Sequence, residues 1–184
     1  PDPGEHPVLG TPLDGPWPEG SRVIYLAAGC FWGVEDALGR LPGVCSAQSG
    51  YTGGHTPDPT YEEVCTGLTG HAEAVRLTFD PARISYEQIL RRFFEIHDPT
   101  QLDRQGPDVG EQYRSAVFYV DEDQKNTALR LLDALRGLGY AVVTQVLPAG
   151  PFYPAEAYHQ HFARRTGRGA CHLSVPRFSR RAED

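Results

Sequence analysis

The stretch from Arg22 to Leu41 constrains the chain most. Arg22-Val-Ile-Tyr-Leu-Ala-Ala28 is an apolar run of strand length, and Ala28-Gly-Cys-Phe-Trp-Gly33 interrupts it. Val34, Ala37, Leu38 and Leu41 then recur at the i, i+3, i+4, i+7 spacing of a helix face. A strand, a tight turn and a helix in succession imply a helix packed on a sheet. Cys30 falls at that turn, close to a helix N-terminus. Unpaired N–H groups and the helix dipole there favour thiolate over thiol. Glycines on both sides, Gly29 and Gly33, permit a tight turn and leave the sulfur approachable. Phe31 and Trp32 follow at once, so the sulfur has an apolar wall beside it. That combination suits a substrate that is neutral and apolar where it reacts. The turn alone is equally compatible with a buried structural cysteine.

The remainder reads as further strands and helices joined by long loops. Residues 1–20 carry prolines at 1, 3, 7, 12, 16 and 18 and form an extended N-terminal arm. A strand is expected over 44–50, an irregular loop over 51–59 and a short helical turn over 61–65. In the strand 71–79, alternation places His71, Glu73, Val75, Leu77 and Phe79 on one face. Glu73 therefore shares a strongly apolar face. A carboxyl there is paired or protonated, because a bare buried charge costs several kcal/mol. Desolvation would raise its pKa and make it a proton donor near neutral pH.

Ser85-Tyr-Glu-Gln88 is a capping box that opens a helix to about His97, which reads as a packed histidine. A second long loop, 98–112, holds Asp108 and ends at Gln112-Tyr-Arg-Ser115. A strand over 116–120, a helix over 121–136 and a valine-rich strand over 141–147 follow. A short helix beginning at Pro154 contains Tyr158, His159 and Phe162. The segment 166–184 is expected to be a flexible tail carrying Cys171, and residues 21–165 a single catalytic domain. Strands and helices alternate, which suggests an α/β sandwich of a mixed β-sheet covered by helices.

Composition excludes several functions. A formal net charge of −7 argues against nucleic acid or an anionic membrane as partner. No apolar run approaches the length of a membrane span. Four cysteines, at 30, 45, 65 and 171, are too scattered for a disulfide scaffold, and with no CxxC pair no structural metal site is expected. Reduced thiols fit a cytoplasmic enzyme without cofactor, and a monomer is expected. The chain contains no methionine, which suits an enzyme that works among oxidants. Cys45 and Cys65, in or beside regular structure, read as structural.

Six segments occur in order: Gly29-Cys-Phe-Trp-Gly33, Gly50-Tyr-Thr-Gly-Gly54, Pro59-Thr-Tyr-Glu-Glu-Val64, Gly70-His-Ala-Glu-Ala74, His97-Asp-Pro-Thr100 and Gln112-Tyr-Arg-Ser115. Pro151-Phe-Tyr-Pro-Ala-Glu156 and Tyr158-His-Gln160 continue the series. Together they resemble the A-type peptide methionine sulfoxide reductases, from about Gly20 to Cys171. The resemblance implies an α+β fold, a two-layer sandwich of mixed β-sheet and helices around a ferredoxin-like core, and reduction of the S-epimer of methionine sulfoxide, free or in proteins. It implies Cys30 as nucleophile, Phe31 and Trp32 as walls for the substrate methyl group, and Glu73 as acid. Tyr61 and Tyr113 would donate to the sulfoxide oxygen, and Asp108 would lie near the substrate. Cys171 falls where a resolving cysteine is often kept. A second tail cysteine, present in some members, is absent here, so a relay through two tail disulfides is not available. The implied reductant is thioredoxin.

The chemistry is consistent with these residue types. A sulfoxide sulfur becomes electrophilic when its oxygen is protonated or strongly hydrogen-bonded, so the site must supply a thiolate and acids together. A free thiol with a pKa of about 8.5 is only a few per cent thiolate at neutral pH. A helix N-terminus contributes about 0.3–1 kcal/mol, less than one pKa unit, so the dipole alone is too weak. The reading is that Glu73 keeps its proton while Cys30 loses one, the two titrating as a pair. A Cys–His acyl hydrolase with His71 or His159 as base is the rival enzyme, and it requires an imidazole within reach of Cys30. A non-catalytic peptide-binding module is the other rival, and it leaves Cys30 unexplained.

Overall fold

The computed structural model describes residues 16–168 and 174–182. Within them the chain runs β1 (Arg22–Ala28), α1 (Phe31–Gly39), β2 (Val44–Thr52), α2 (Tyr61–Cys65), β3 (Ala72–Phe79), α3 (Tyr86–Ile96), β4 (Arg104–Gln105), β5 (Asp108–Val109), β6 (Ser115–Tyr119), α4 (Glu122–Gly137), β7 (Gln145–Pro148), β8 (Phe152–Pro154) and α5 (Phe162–Thr166). The main sheet has the order β7-β6-β1-β3-β2-β8, and β4 and β5 pair separately. Every neighbour in the main sheet is antiparallel except β6 and β7. The inner four strands, crossed over by α1 and α3, form the βαββαβ ferredoxin-like core, with β7 and β8 added at its two edges.

Strand alternation sorts the side chains into two layers. Ile24, Leu26 and Ala28 of β1 and Val75, Leu77 and Phe79 of β3 join Val34, Leu38, Leu90, Phe93 and Leu131 in the helix-side core. The reverse face carries Ala27, Ala72, Ala74, Ala116 and Phe118. Glu73 has the parity of Val75, so the expectation that it shares the apolar face holds.

Helix starts follow local rules. Ser85 and Gln88 form the anticipated capping box on α3, and Thr60 forms one with Glu63 on α2. Asp121 caps α4 by accepting the Gln124 N–H. The N-cap of α1 is Cys30, and it makes no side-chain capping bond.

Three expectations need correction. The strand placed at 141–147 begins only at Gln145. Val143 N–H bonds instead to Pro99 O in the loop after α3, a long-range contact that overrides the β-propensity of the valines. The helix expected from Pro154 is instead an edge strand, β8, paired with β2, then a 3₁₀ turn at Ala157–His159, then α5. Pro154 tolerates that edge because it owes no ladder N–H there. Last, residues 174–182 of the expected flexible tail pack down: Val175 N–H bonds to Glu95 O, Ala182 N–H bonds to Leu138 O, and Phe178 meets Phe94 edge to face. Residues 1–15 of the expected arm, and Cys171 within 169–173, lie outside the described residues.

Candidate active site

The site is assembled at the uncapped start of α1. Gly29 has φ +95°, a left-handed conformation that a side chain strains against, and a Cβ there would lie 2.8 Å from the Gln105 side chain. This turn aims the Cys30 sulfur at the backbone N–H groups of Trp32 and Gly33. Burial nonetheless dominates, joined by the Glu73 and Asp108 carboxyls, and pushes the thiol up to about 12. At rest Cys30 is a thiol. The N–H groups act in the expected direction, but they do not outweigh desolvation.

Glu73 is 1 % exposed and supplies the cap that Cys30 does not. Its Oε1 accepts the Phe31 N–H at 3.2 Å, and its Oε2 accepts from Gln112 Nε2 at 3.4 Å. Burial pushes this carboxyl up to about 7, with Asp108 adding to the rise, so near neutrality it holds a proton part of the time. The sequence reading has Glu73 keep its proton, and burial favours that form without fixing it. The expectation that Cys30 has lost its own does not apply to the resting site.

Tyr61 and Tyr113 flank the same carboxyl. Burial raises both phenols, with Glu73 next in effect, and both stay protonated donors. Tyr61 is held from behind by Glu156, whose Oε2 accepts its N–H and whose Oε1 accepts the Tyr51 hydroxyl at 3.0 Å. Tyr113 ends a 3₁₀ turn, Glu111–Tyr113, pinned by buried Arg114, which donates to Glu111 O, Gly70 O and Gln145 Oε1. Asp108 of β5 reaches the site electrostatically, acting on Cys30, Glu73 and Tyr113.

The two aromatic walls differ. Phe31 is 1 % exposed, with its ring packed on Tyr51, Tyr61 and His159. Trp32 is half-buried, stacked on Phe162 with ring centres 3.9 Å apart, and its indole N–H donates to His159 Nδ1 at 2.9 Å. That bond places the proton of neutral His159 on Nε2.

Of the two candidate imidazoles of the hydrolase reading, His71 is engaged at both ring nitrogens and His159 at Nδ1, its buried Nε2 having no hydrogen-bond partner among the described residues. His159 accepts from Trp32, and His71 accepts the Gly54 N–H while its Nε2 meets Thr56 O at 2.7 Å. Cys45 is buried as expected, whereas Cys65 is exposed and belongs to the site's rim. Its sulfur partners the Tyr61 hydroxyl and lies 3.6 Å from Gln112 Nε2. His159 enters the sequence reading only as the hydrolase base, and Tyr51, Gln112 and Glu156 were not singled out from the sequence for a role. Their only signal was membership of the motifs that carry the resemblance. Among the described residues no group of three or more His, Cys, Asp or Glu is placed to hold a metal ion.

A thiol, a carboxyl able to hold a proton and two phenols come together at one helix start, the groups a thiol-dependent enzyme requires. Residues 22–184 match the family described as peptide methionine sulfoxide reductase. Peptide methionine sulfoxide reductase MsrA of Methanothermobacter thermautotrophicus is 53% identical over 149 residues, covering 79% of this chain and 88% of the relative. The crystal structure of Mxr1 from Saccharomyces cerevisiae in reduced form superposes with a TM-score of 0.81 at 31% identity, covering 87% of this chain and 95% of that one. Mxr1 in complex with Trx2 is similar in fold, with a TM-score of 0.59 at 21% identity over 88% of this chain and 93% of that one. The chain belongs to the peptide methionine sulfoxide reductase family.

Proposed function

We propose that this chain reduces methionine S-sulfoxide, free or in proteins, with Cys30 as nucleophile and Glu73 as acid. The observation that carries the reading is the shared turn. The Cys30 thiol and the Glu73 carboxyl converge on the first N–H groups of α1, and burial leaves both able to hold a proton at neutral pH.

Glu73 delivers its proton to the sulfoxide oxygen while Tyr61 and Tyr113 donate hydrogen bonds to it. Trp32 bounds the methyl side of the substrate, and Phe31 backs it. As the oxygen takes the proton, the Cys30 sulfur attacks the substrate sulfur and its thiol proton returns to the carboxylate. The hydroxyl then passes from the substrate sulfur to the Cys30 sulfur: the substrate S–O bond and the S–S bond formed on attack both break, and a Cys30 S–O bond forms. The thioether leaves with Cys30 as sulfenic acid, cysteine sulfur oxidised by two electrons and substrate sulfur reduced by two. The Cys171 thiol then attacks Cys30, expelling water and forming a disulfide. Thioredoxin reduces that disulfide by thiol exchange. No helix among the described residues is long and apolar enough to cross a membrane, and a cytoplasmic site of action is part of the proposal.

The test is reduction of separated methionine sulfoxide epimers with thioredoxin as reductant. The S-epimer should turn over, the R-epimer should not, and Cys30→Ser should abolish activity. Turnover by Cys30→Ser would remove the nucleophile assignment. Cycling by Cys171→Ser at the wild-type rate would remove the resolving role.

A further inference from the structure

The inner face of α1 carries one ionisable side chain that this reaction does not use. Glu35 is 4 % exposed beside the core residues Val34 and Leu38. Ser49 of β2 donates its hydroxyl to Glu35 Oε2 at 2.6 Å. The backbone N–H of His161 donates to the same carboxyl. The His161 ring, 7 % exposed, brings Nε2 to 4.0 Å from Glu35 Oε1 and 3.3 Å from Ala47 O. His161 sits at φ 54°, ψ 33°, left-handed backbone that is strained for a non-glycine residue. The surroundings therefore over-determine that conformation.

His161 belongs to a segment stitched across β2 and α1. Gln160 accepts the Ser49 N–H and donates to Ser49 O and Ala155 O, each at 2.9 Å. Arg165 folds back on the carbonyls of Tyr158 and Gln160. From this segment come both described partners of the Trp32 indole, the His159 acceptor and the stacked Phe162 ring. Glu35 lies three residues beyond Trp32 on the same helix. The segment thus grips α1 at two neighbouring points, once through the indole and once through the carboxyl.

We propose that Glu35 is a positioning residue. With Ser49 and His161 it latches the segment Ala155–Thr166 onto α1 and thereby fixes the orientation of Trp32 at the substrate pocket. The proposal rests on the reading that Trp32 bounds that pocket.

The latch is built to be uncharged. Burial pushes Glu35 up to about 8, with Asp36 on the same helix adding to the rise and the Ser49 and His161 hydrogen bonds opposing it. Burial lowers His161, and Arg165 of α5 lowers it further. Near neutrality both partners are neutral. Above about pH 8 Glu35 becomes an anion facing a neutral imidazole, and the segment relaxes its hold to let water reach the carboxyl.

The chain has two tryptophans, so two indole N–H cross-peaks report the state of the latch, with Trp17→Phe assigning them. Between pH 6 and 9.5 the Trp32 cross-peak should move with a midpoint near 8 in the parent protein and show no such movement in Glu35→Gln, whose amide mimics the protonated carboxyl. Glu35→Ala should raise KM for methionine sulfoxide about tenfold with kcat changed less than about threefold, and Glu35→Gln should restore KM at pH 7. An unchanged midpoint in Glu35→Gln, or a wild-type KM in a folded Glu35→Ala, overturns the latch. The titration needs only the isosteric variant, so failure of Glu35→Ala to fold does not shield the proposal. An unchanged KM in Trp32→Ala would instead overturn the pocket reading, and the cross-peak would still decide whether Glu35 controls the indole.

Discussion

Glu73 does two jobs with one carboxyl. Its Oε1 caps the start of α1 at the Phe31 N–H, which alone would favour the anion, yet burial wins and the group titrates at about 7. The acid form is the one that can protonate an oxygen, so kcat/KM should fall with rising pH through about 7. Glu73→Gln should lose about 10²–10⁴-fold at pH 6 and flatten that limb, as measured in pH–rate profiles. A Gln variant with wild-type turnover would show that another group carries the proton. The same raised carboxyls tie stability to pH. Because the folded values of Glu35 and Glu73 lie above the unfolded 4.5, their contribution is complete below pH 4.5 and is lost as pH rises to about 7 for Glu73 and about 8 for Glu35. Thermal unfolding should therefore show Glu35→Gln with a higher Tm than the parent at pH 8.5 and little change at pH 4.5.

At the scale of elements, α1 carries Cys30 and is held by its apolar face, in which Val34 and Leu38 are fully buried. Leu38→Ala should cost about 2–5 kcal/mol in chemical denaturation and lower activity beyond what the lost folded fraction explains, because the helix start moves with the helix. α2 depends on Glu156, which takes the Tyr51 hydroxyl and the Tyr61 N–H. Glu156→Ala should raise KM about tenfold, since Tyr61 loses its backing, while the unfolding midpoint shifts little. Period and capping made α1, α3, α4 and β3 legible in the sequence. Glu73 was legible too, because strand parity alone set it on the helix side. What escaped was decided at long range. Residues 141–144 leave the strand because Val143 bonds to Pro99, and the Pro154 region becomes an edge strand because β2 offers it pairing. Cys65 stands at i+4 from Tyr61 on α2, a spacing the sequence does show, whereas its contact with Gln112 is long-range and was not legible.

At the scale of the molecule, the sheet brings together residues that are far apart in sequence. Cys30 comes from the start of α1, Glu73 from β3, Tyr61 from α2, Asp108 from β5 and Tyr113 from the turn before β6. The ferredoxin-like order accounts for this, because β1 and β3 are neighbours at the centre of the sheet. The resting site holds a proton on the thiol and, part of the time near neutrality, on the acid; the proposed reaction passes the acid's proton to the substrate oxygen and the thiol's to the carboxylate. The most direct test of this account is a single turnover without reductant, in which fully reduced protein meets excess racemic methionine sulfoxide. The account predicts about one methionine released per chain, with Cys30 and Cys171 the two thiols lost and joined to each other, and no release by Cys30→Ser. No methionine released and all four thiols intact would contradict it.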